Sequence, residues 1–431
     1  MTGNVVCLKI RWYFEEITSW FMLGLVHFEG VNMPQAFDGI RIIDFAQVLA
    51  GPFAAMQLAS LGAEVIKIEQ PGVGDITRQL VNGNDGHGMT ASFMGMNVNK
   101  RSLTLNLRSP EAVGIVKKLV NEADVLLENF KAGTMERRGL GYEVLKEIQP
   151  DLIYCSVTGY GQTGPKAGEA AYDGAIQASS GMMSQTGHES TGPTRTGYQP
   201  VDMGTGLNTA FAIAAALHRR ERTGLGQRID VAMIDTAVVL QASQYSGYLN
   251  EGKLIGLLGN MSHTKQPTAN VFPTADGQIQ ITALTQIQVE KLFRIIGLEE
   301  KLSDPLFNTT TSRVDNHDTV RNSVVLALAK NSTTFWLENL ANGGVPVAEV
   351  REVSDVVNDP QFEYRGVFEP IESPLPDNTP VTVVKAGFIA DSDGPSIRSR
   401  PPHLGEHSDE VLSELGFTPE EIEGFRERGV V

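Results

Sequence analysis

Between residues 39 and 159 short apolar runs alternate with amphipathic ones. Residues 40–45 (IRIIDF), 64–68 (EVIKI), 102–107 (SLTLNL), 124–128 (DVLLE) and 152–157 (LIYCSV) read as strands. The stretch opening at Leu49-Ala50-Gly51-Pro52 and residues 110–121 and 142–148 read as helices between them. Pro110 suits a first helical position, and apolar residues follow it at helical spacing. Such alternation predicts an α/β fold, a parallel sheet with helices on both faces. Ligands in these folds bind beyond the carboxyl ends of the strands.

Residues 159–206 break the pattern. They are rich in Gly, Ser and Thr with little periodicity, and long irregular stretches in globular chains tend to be functional or mobile. Residues 207–218 then read as a long apolar helix, followed by a basic turn (RRERTGLGQ) and the segment IDVAMID. From residue 272 the character changes. Residues 272–283 read as a hairpin turning at Asp276-Gly277, helices dominate 286–342, and 343–353 returns to strand. The tail ends in two short helices, the second with a capping box from Thr418 to Glu421.

The first turn, LAGPFAA, lacks the G-x-G-x-x-G spacing of dinucleotide folds, which argues against NAD. Its helix N-terminus still offers free amides to an anion. Glu69, at the end of the second strand, reads as a solvated strand-end charge. Lys100, Arg101, Lys117, Lys118, Lys131 and Arg138 read mostly as solvated faces. Arg108 and Arg137 each follow a strand and are the better candidates for phosphate contacts.

Composition narrows the partners. At 431 residues, 41% hydrophobic and 20% charged, the chain is ordinary globular protein of about two or three domains. A net charge of −16 disfavours nonspecific nucleic-acid binding, so any anionic ligand needs a local positive field. Cys7 and Cys155 form neither a disulfide framework nor a zinc site, as suits a reducing cytoplasm, and both read as inert thiols. No apolar run is long enough to span a membrane. Residues 17–28 are apolar, but Glu15 and Glu16 precede them and no small-x-small site follows, so a signal peptide is not expected. The folded pattern starts after Met33. Residues 1–32, with Trp12 and Trp20, read as an extension outside the domain, with an added docking helix as the alternative.

Carboxylates are few in the irregular stretch. Asp202 stands shortly before the helix GTGLNTAFAIAAAL, where two readings stay open. It can be a helix N-terminal residue stabilised by the dipole, or a carboxylate nucleophile among glycine amides that stabilise an oxyanion. Asp173 reads as an N-cap. The histidines, among them His87, His188, His218, His263, His403 and His407, have no metal-ligand spacing, so no metal is assigned.

From about Met33 to Val431 the chain resembles the class III CoA-transferases, the family of formyl-CoA transferase and carnitine CoA-transferase, whose fold the α-methylacyl-CoA racemases share. The resemblance rests on many pieces in one order. They include DFAQVLAGPFAAMQLASLGAEVIKIEQPG, NKRSLTLNLRSP, ADVLLENFKAGTMERRGLGYE, LIYCSVTGYGQTGP, AYDGAIQASSG, QPVDMGTGL, RRERTGLGQRIDVAMIDTA and RPPHLGEHSDEVLSELG. It implies a Rossmann-like large domain built from 33–225 and 336–431, a smaller α+β domain over 226–335, and an interlocked homodimer.

The resemblance places Asp202 on the family's catalytic aspartate and Ala50 on a small residue lining the CoA site. It places Leu105, Arg108, Asn129, Phe130 and Arg137 on CoA contacts, and Tyr172 beside the active carboxylate. Gly204, Gly206 and the backbone around Ala50 are then the expected oxyanion donors. The implied activity is CoA transfer between carboxylic acids, with CoA as cosubstrate and no metal or redox cofactor. An acyl-CoA racemase or epimerase and a non-catalytic CoA-binding subunit are the alternatives. The racemases carry histidine where this chain has Tyr172. Formyl-CoA transferase has glutamine at Leu49 and a glycine-rich flap not found near Gly259, and the family has a basic residue at Gln70. The segment TALTQIQ is slightly closer to the carnitine enzyme and points to a medium-sized acid.

Overall fold

The computed structural model describes residues 34–80 and 87–431. The extension read over 1–32, with Cys7, Trp12 and Trp20, lies outside the described residues. The chain opens with β1 (Arg41–Asp44), α1 (Ala50–Ala59) and β2 (Glu64–Glu69). It continues through α2 (Ala91–Met96), β3 (Lys100–Thr104), α3 (Pro110–Val120) and β4 (Val125–Glu128). The one-turn helices α4 (Thr134–Arg137) and α5 (Tyr142–Leu145) lead to β5 (Ile153–Thr158) and α6 (Asp173–Ser179). A small hairpin, β6 (Gly187–His188) and β7 (Gly192–Pro193), precedes the long α7 (Pro200–Thr223), β8 (Gln227–Ala232), α8 (Met233–Leu240) and α9 (Ala242–Glu251).

Six parallel strands form the central sheet in the order β3-β2-β1-β4-β5-β8. The direction of winding reverses between β1 and β4, which leaves a crevice at their carboxyl ends. Strand residues alternate between the two faces. Ile43, Ile66, Leu126 and Tyr154 join one core with Ile115 and Leu119 of α3 and with the C-terminal residues Leu412 and Phe425. Ile42, Val65, Leu127 and Cys155 join the other, with Ala54 and Leu58 of α1 and Ile213 and Leu217 of α7. β3 begins two residues earlier than the alternation of 102–107 indicates. Lys100 points inward to the buried Asp44, and Ser102 to the buried Glu69.

Helix α7 corrects the expectation most. It starts at Pro200, seven residues before Leu207, and ends at Gly224, whose φ of 68° makes the left-handed cap. Pro200 occupies the first helical position, where a missing N–H loses nothing. The glycines that suggest a loop are needed for packing. A Cβ on Gly206 would sit 2.7 Å from the Ala50 carbonyl oxygen of α1, and one on Gly204 would sit 2.9 Å from Leu240 of α8.

The next unit comprises β9 (Ala269–Pro273), β10 (Gln278–Thr282), α10 (Gln286–Ile295), α11 (Thr310–Asp315), α12 (His317–Leu328), α13 (Thr333–Asn342) and β11 (Val347–Glu349). Its three strands are antiparallel in the order β11-β10-β9, and its own core includes Phe272, Ile281, Phe293, Val324 and Trp336. Strand pairing moves both expected boundaries. β8 belongs to the central sheet beside β5, so the large unit runs past 225, and β11 pairs with β10, so the smaller unit runs past 335.

The chain then passes through α14 (Val353–Val356), α15 (Pro360–Arg365), the hairpin β12 (Phe368–Ile371) and β13 (Val381–Val384), α16 (Ser408–Glu414) and α17 (Pro419–Glu427). The predicted capping box at Thr418 and Glu421 opens α17. This tail lies along the outer edge of β3: His407 N–H donates to the Ser102 carbonyl, and Asn106 N–H to that of Val430. Among the described residues no helix is long and apolar enough to cross a membrane.

Candidate active site

The crevice between β1 and β4 opens into a cavity of about 250 Å³. Residues 47–50 line it after β1, 129–132 after β4 and 159–161 after β5, with Glu169, Tyr172, Asp202 and Met233 on the remaining side. Ala50, Asn129, Phe130, Tyr172 and Asp202, singled out from the sequence, therefore meet in one place. Lys131 is the only lysine or arginine among the lining residues described.

Asp202 is the third residue of α7, is 9% exposed and lines this cavity. Burial, and then the like charge of Asp173, push its carboxyl up to about 7. Asp173 is itself buried. It does not cap its own helix: Tyr172 is the N-cap of α6, and Asp173 holds the first helical position. Its Oδ2 instead accepts the Val201 N–H at 2.9 Å and the Asp202 N–H at 3.2 Å. Its Oδ1 accepts Gln177 Nε2. It caps α7 from outside, where Gln199 supplies no side-chain cap.

The turn from β1 into α1 is held from beneath by buried charges. Lys67 Nζ donates to the Ala46 carbonyl at 2.7 Å and pairs with Asp75 at 2.9 Å. Lys100 Nζ pairs with Asp44 and donates to the Pro52 carbonyl, each at 2.9 Å. Asp75 also accepts the Val48 N–H, and Asn129 exchanges two hydrogen bonds with the Gln47 backbone. Val48 has φ of 70°, an uncommon conformation for a β-branched residue. So held, the turn presents the N–H groups of Leu49 and Ala50, both cavity-lining, without an acceptor among the described residues. They are the first orphan donors of α1, at its positive end.

Several expectations need correction. Gly204 and Gly206 lie at the fifth and seventh positions of α7, where their N–H groups belong to the helical ladder. They are therefore not oxyanion donors; their role is close packing. Leu105 is 1% exposed within the core and presents no side-chain surface to a ligand. Arg108 and Arg137 are exposed but do not line the cavity; with Lys117 and Arg138 they border a separate groove past the ends of β3 and β4. Glu69 is not solvated: it is buried and pairs with Arg78 at 2.7 Å, and despite burial this partner holds its carboxyl below the usual range. Lys100 is buried rather than solvated, and burial lowers it to about 8. Cys155 is buried between strands, and burial raises its thiol far out of the reactive range, as an inert cysteine requires. Sequence reasoning missed the lysine clamp and the external cap by Asp173. Charged residues inside apolar strands (Asp44, Lys67, Glu69) are the one signal that could have shown buried pairing.

The α/β fold with a carboxylate at its switch point fits an enzyme of acyl transfer, and comparison with known proteins agrees. The sequence pattern of CoA-transferase family III matches residues 37–408. The chain is 37% identical over 390 residues to a succinate–glutarate CoA-transferase of Agrobacterium fabrum, covering 89% of this chain and 96% of that protein. It is 36% identical to an acetyl-CoA:oxalate CoA-transferase of Acetobacter aceti, covering 88% and 95%. A crystal structure of a CaiB/BaiF family protein from Brucella suis superposes with a TM-score of 0.80 at 36% identity, covering 89% of this chain and all of that one. The chain belongs to family III of the CoA-transferases, and it is an enzyme of that class.

Proposed function

We propose that this enzyme moves CoA between short dicarboxylic acids and that Asp202 is its nucleophile. The observation that carries the reading is the Asp202 carboxylate opening into a cavity beside two unpaired N–H groups. The Asp202 carboxylate attacks the donor's thioester carbonyl; the C–S bond breaks and CoA thiolate leaves an aspartyl–acyl anhydride. The thiolate then attacks the aspartyl carbonyl, which forms aspartyl-CoA thioester and releases the donor acid. The acceptor carboxylate enters, and the two steps run in reverse. Carboxylates are weak nucleophiles, so prealigned donors matter. The Leu49 and Ala50 amides take the oxyanion role, in place of Gly204 and Gly206.

Relatives named for succinate, glutarate and oxalate favour dicarboxylic substrates over carnitine-like acids. Lys131 is the cation positioned for a second carboxylate. The cavity suits the acyl group and the end of the pantetheine arm, and Arg108 and Arg137 suit the phosphates outside it. A homodimer, with a smaller domain set between the two parts of the large one, belongs to the same reading. Leu207, Phe211, Val239, Leu249 and Leu254 stay exposed on α7 to α9 and just after, an apolar surface suited to a second copy.

The test pairs succinyl-CoA with glutarate or oxalate and follows both CoA thioesters by chromatography. Asp202→Asn should abolish exchange. Hydroxylamine added to wild-type enzyme with donor should leave a hydroxamate on Asp202; full turnover by the variant, or a hydroxamate elsewhere, overturns the scheme.

A further inference from the structure

Resting on that nucleophile, we propose that Asp173 is a positioning residue: it fixes the turn that carries Asp202 and takes up the helix-end N–H groups that would otherwise serve that carboxylate. Asp173 stands at the start of α6, yet its Oδ2 takes both free N–H groups of the first turn of α7, those of Val201 and Asp202. Pro200 has no N–H, and the Met203 N–H already donates to the Gln199 carbonyl. Asp173 therefore binds the donors that would otherwise favour an anion at this helix end. The nucleophile sits at the positive end of a long helix whose field another carboxylate offsets.

The consequence is chemical. A carboxylate held at low proton affinity is a poor nucleophile, and one that binds protons more tightly attacks a thioester better. Burial raises the proton affinity of Asp202, and the like charge of Asp173 adds to it. The neighbouring elements supply little else. α1 carries no titratable side chain, α6 only Asp173, and α8 only the exposed Asp235. β5 and β8 contribute Tyr154, Cys155, Arg228 and Asp230, while Lys131, Tyr160, Glu169 and Tyr172 line the open side.

The experiment measures kcat/KM against pH for succinyl-CoA, because this ratio reports ionisation in the free enzyme. Wild type should lose activity as pH falls through about 7, where Asp202 takes a proton. Asp173→Asn should move that acid limb down by roughly one pH unit, because the like charge is gone while burial stays. Its plateau kcat should fall about 10- to 100-fold, because the turn is less well held. Asp173→Glu, which keeps the charge but displaces the oxygens, should lower kcat and leave the limb in place. A lower plateau with an unmoved limb in Asp173→Asn overturns the proposal, since a purely structural role does that. If that variant does not fold, the wild-type profile decides: an acid limb near the ordinary carboxylate range overturns it alone. Hydroxylamine trapping separates the two readings. No adduct on wild-type Asp202 sinks the nucleophile, whereas an adduct there with an unmoved limb sinks only the role of Asp173.

Discussion

Gly206→Ala tests whether one close helix contact sets the geometry of catalysis. The added methyl would lie 2.7 Å from the Ala50 carbonyl oxygen and 2.8 Å from Cδ1 of Phe53. The nearer atom is backbone and cannot turn aside, so α7 must draw back from α1 by roughly 0.6–1 Å to restore ordinary contact. Overpacking of this kind costs about 1–3 kcal/mol. Removing a glycine from a helix interior returns about 1 kcal/mol. The net loss is about 0–2 kcal/mol, a fall in Tm of less than about 8 °C. Activity is more sensitive. Ala50 lines the cavity, and Asp202 lies one turn before Gly206 on the same side of α7. A displacement near 1 Å between nucleophile and oxyanion donors should lower kcat by roughly 10- to 100-fold. The assay is the succinyl-CoA exchange followed by chromatography, with calorimetry on the same preparation. Gly114→Ala in α3, where nothing lies within 4 Å, is the stability control and should raise stability by about 0.5–1 kcal/mol. Full turnover by Gly206→Ala would refute the reasoning; so would a loss of activity matched by collapse of the fold.

Val48→Gly should relieve left-handed strain, of order 1–3 kcal/mol, against a loss of about 1 kcal/mol from the freer unfolded chain. Tm should therefore hold or rise by scanning calorimetry, while kcat/KM falls because the turn that presents Leu49 and Ala50 loosens. Glu128 is buried at the end of β4, and burial pushes its carboxyl up to about 7. Between the ordinary carboxylate range and pH 7 the unfolded chain has released this proton while the folded chain keeps it, so folding stability declines as pH rises through that window. Glu128→Gln should thus stabilise by about 2–3 kcal/mol at pH 8 and change little at pH 4, read from urea denaturation at both; equal gains at the two pH values would remove burial as the cause.

Hydrophobic period carried most of the fold in the sequence. Each strand from β1 to β5 falls within two residues of its expected start, because inward residues on both faces must be apolar in a sheet covered twice. α7 escaped because small residues were doing a packing job that resembles loop composition: Gly204 and Gly206 remove side chains where α1 and α8 approach. β8 escaped the large unit because which strands pair is a long-range fact, and Gln227–Ala232 carries no mark of its partner. In the candidate site the family resemblance brought Ala50, Asn129, Phe130, Tyr172 and Asp202 to one cavity. Lys100 stayed hidden because a charged side chain reads as solvated until its buried partner is seen, and Asp173 because a carboxylate at a helix start reads as that helix's own N-cap. Leu105 went the other way: its place in the motif says nothing of its side chain being turned into the core.

The tail that lies along β3 has a consequence for how the molecule is made. Gly405 N–H donates to Ser102 Oγ across 303 positions, and Val430 closes onto Asn106 from farther still. The open flank of β3 therefore waits, during synthesis, for a segment 303 positions downstream. Until then that flank can pair with any passing strand. Covering the edge of the central sheet is therefore a long-range event that folding reaches late.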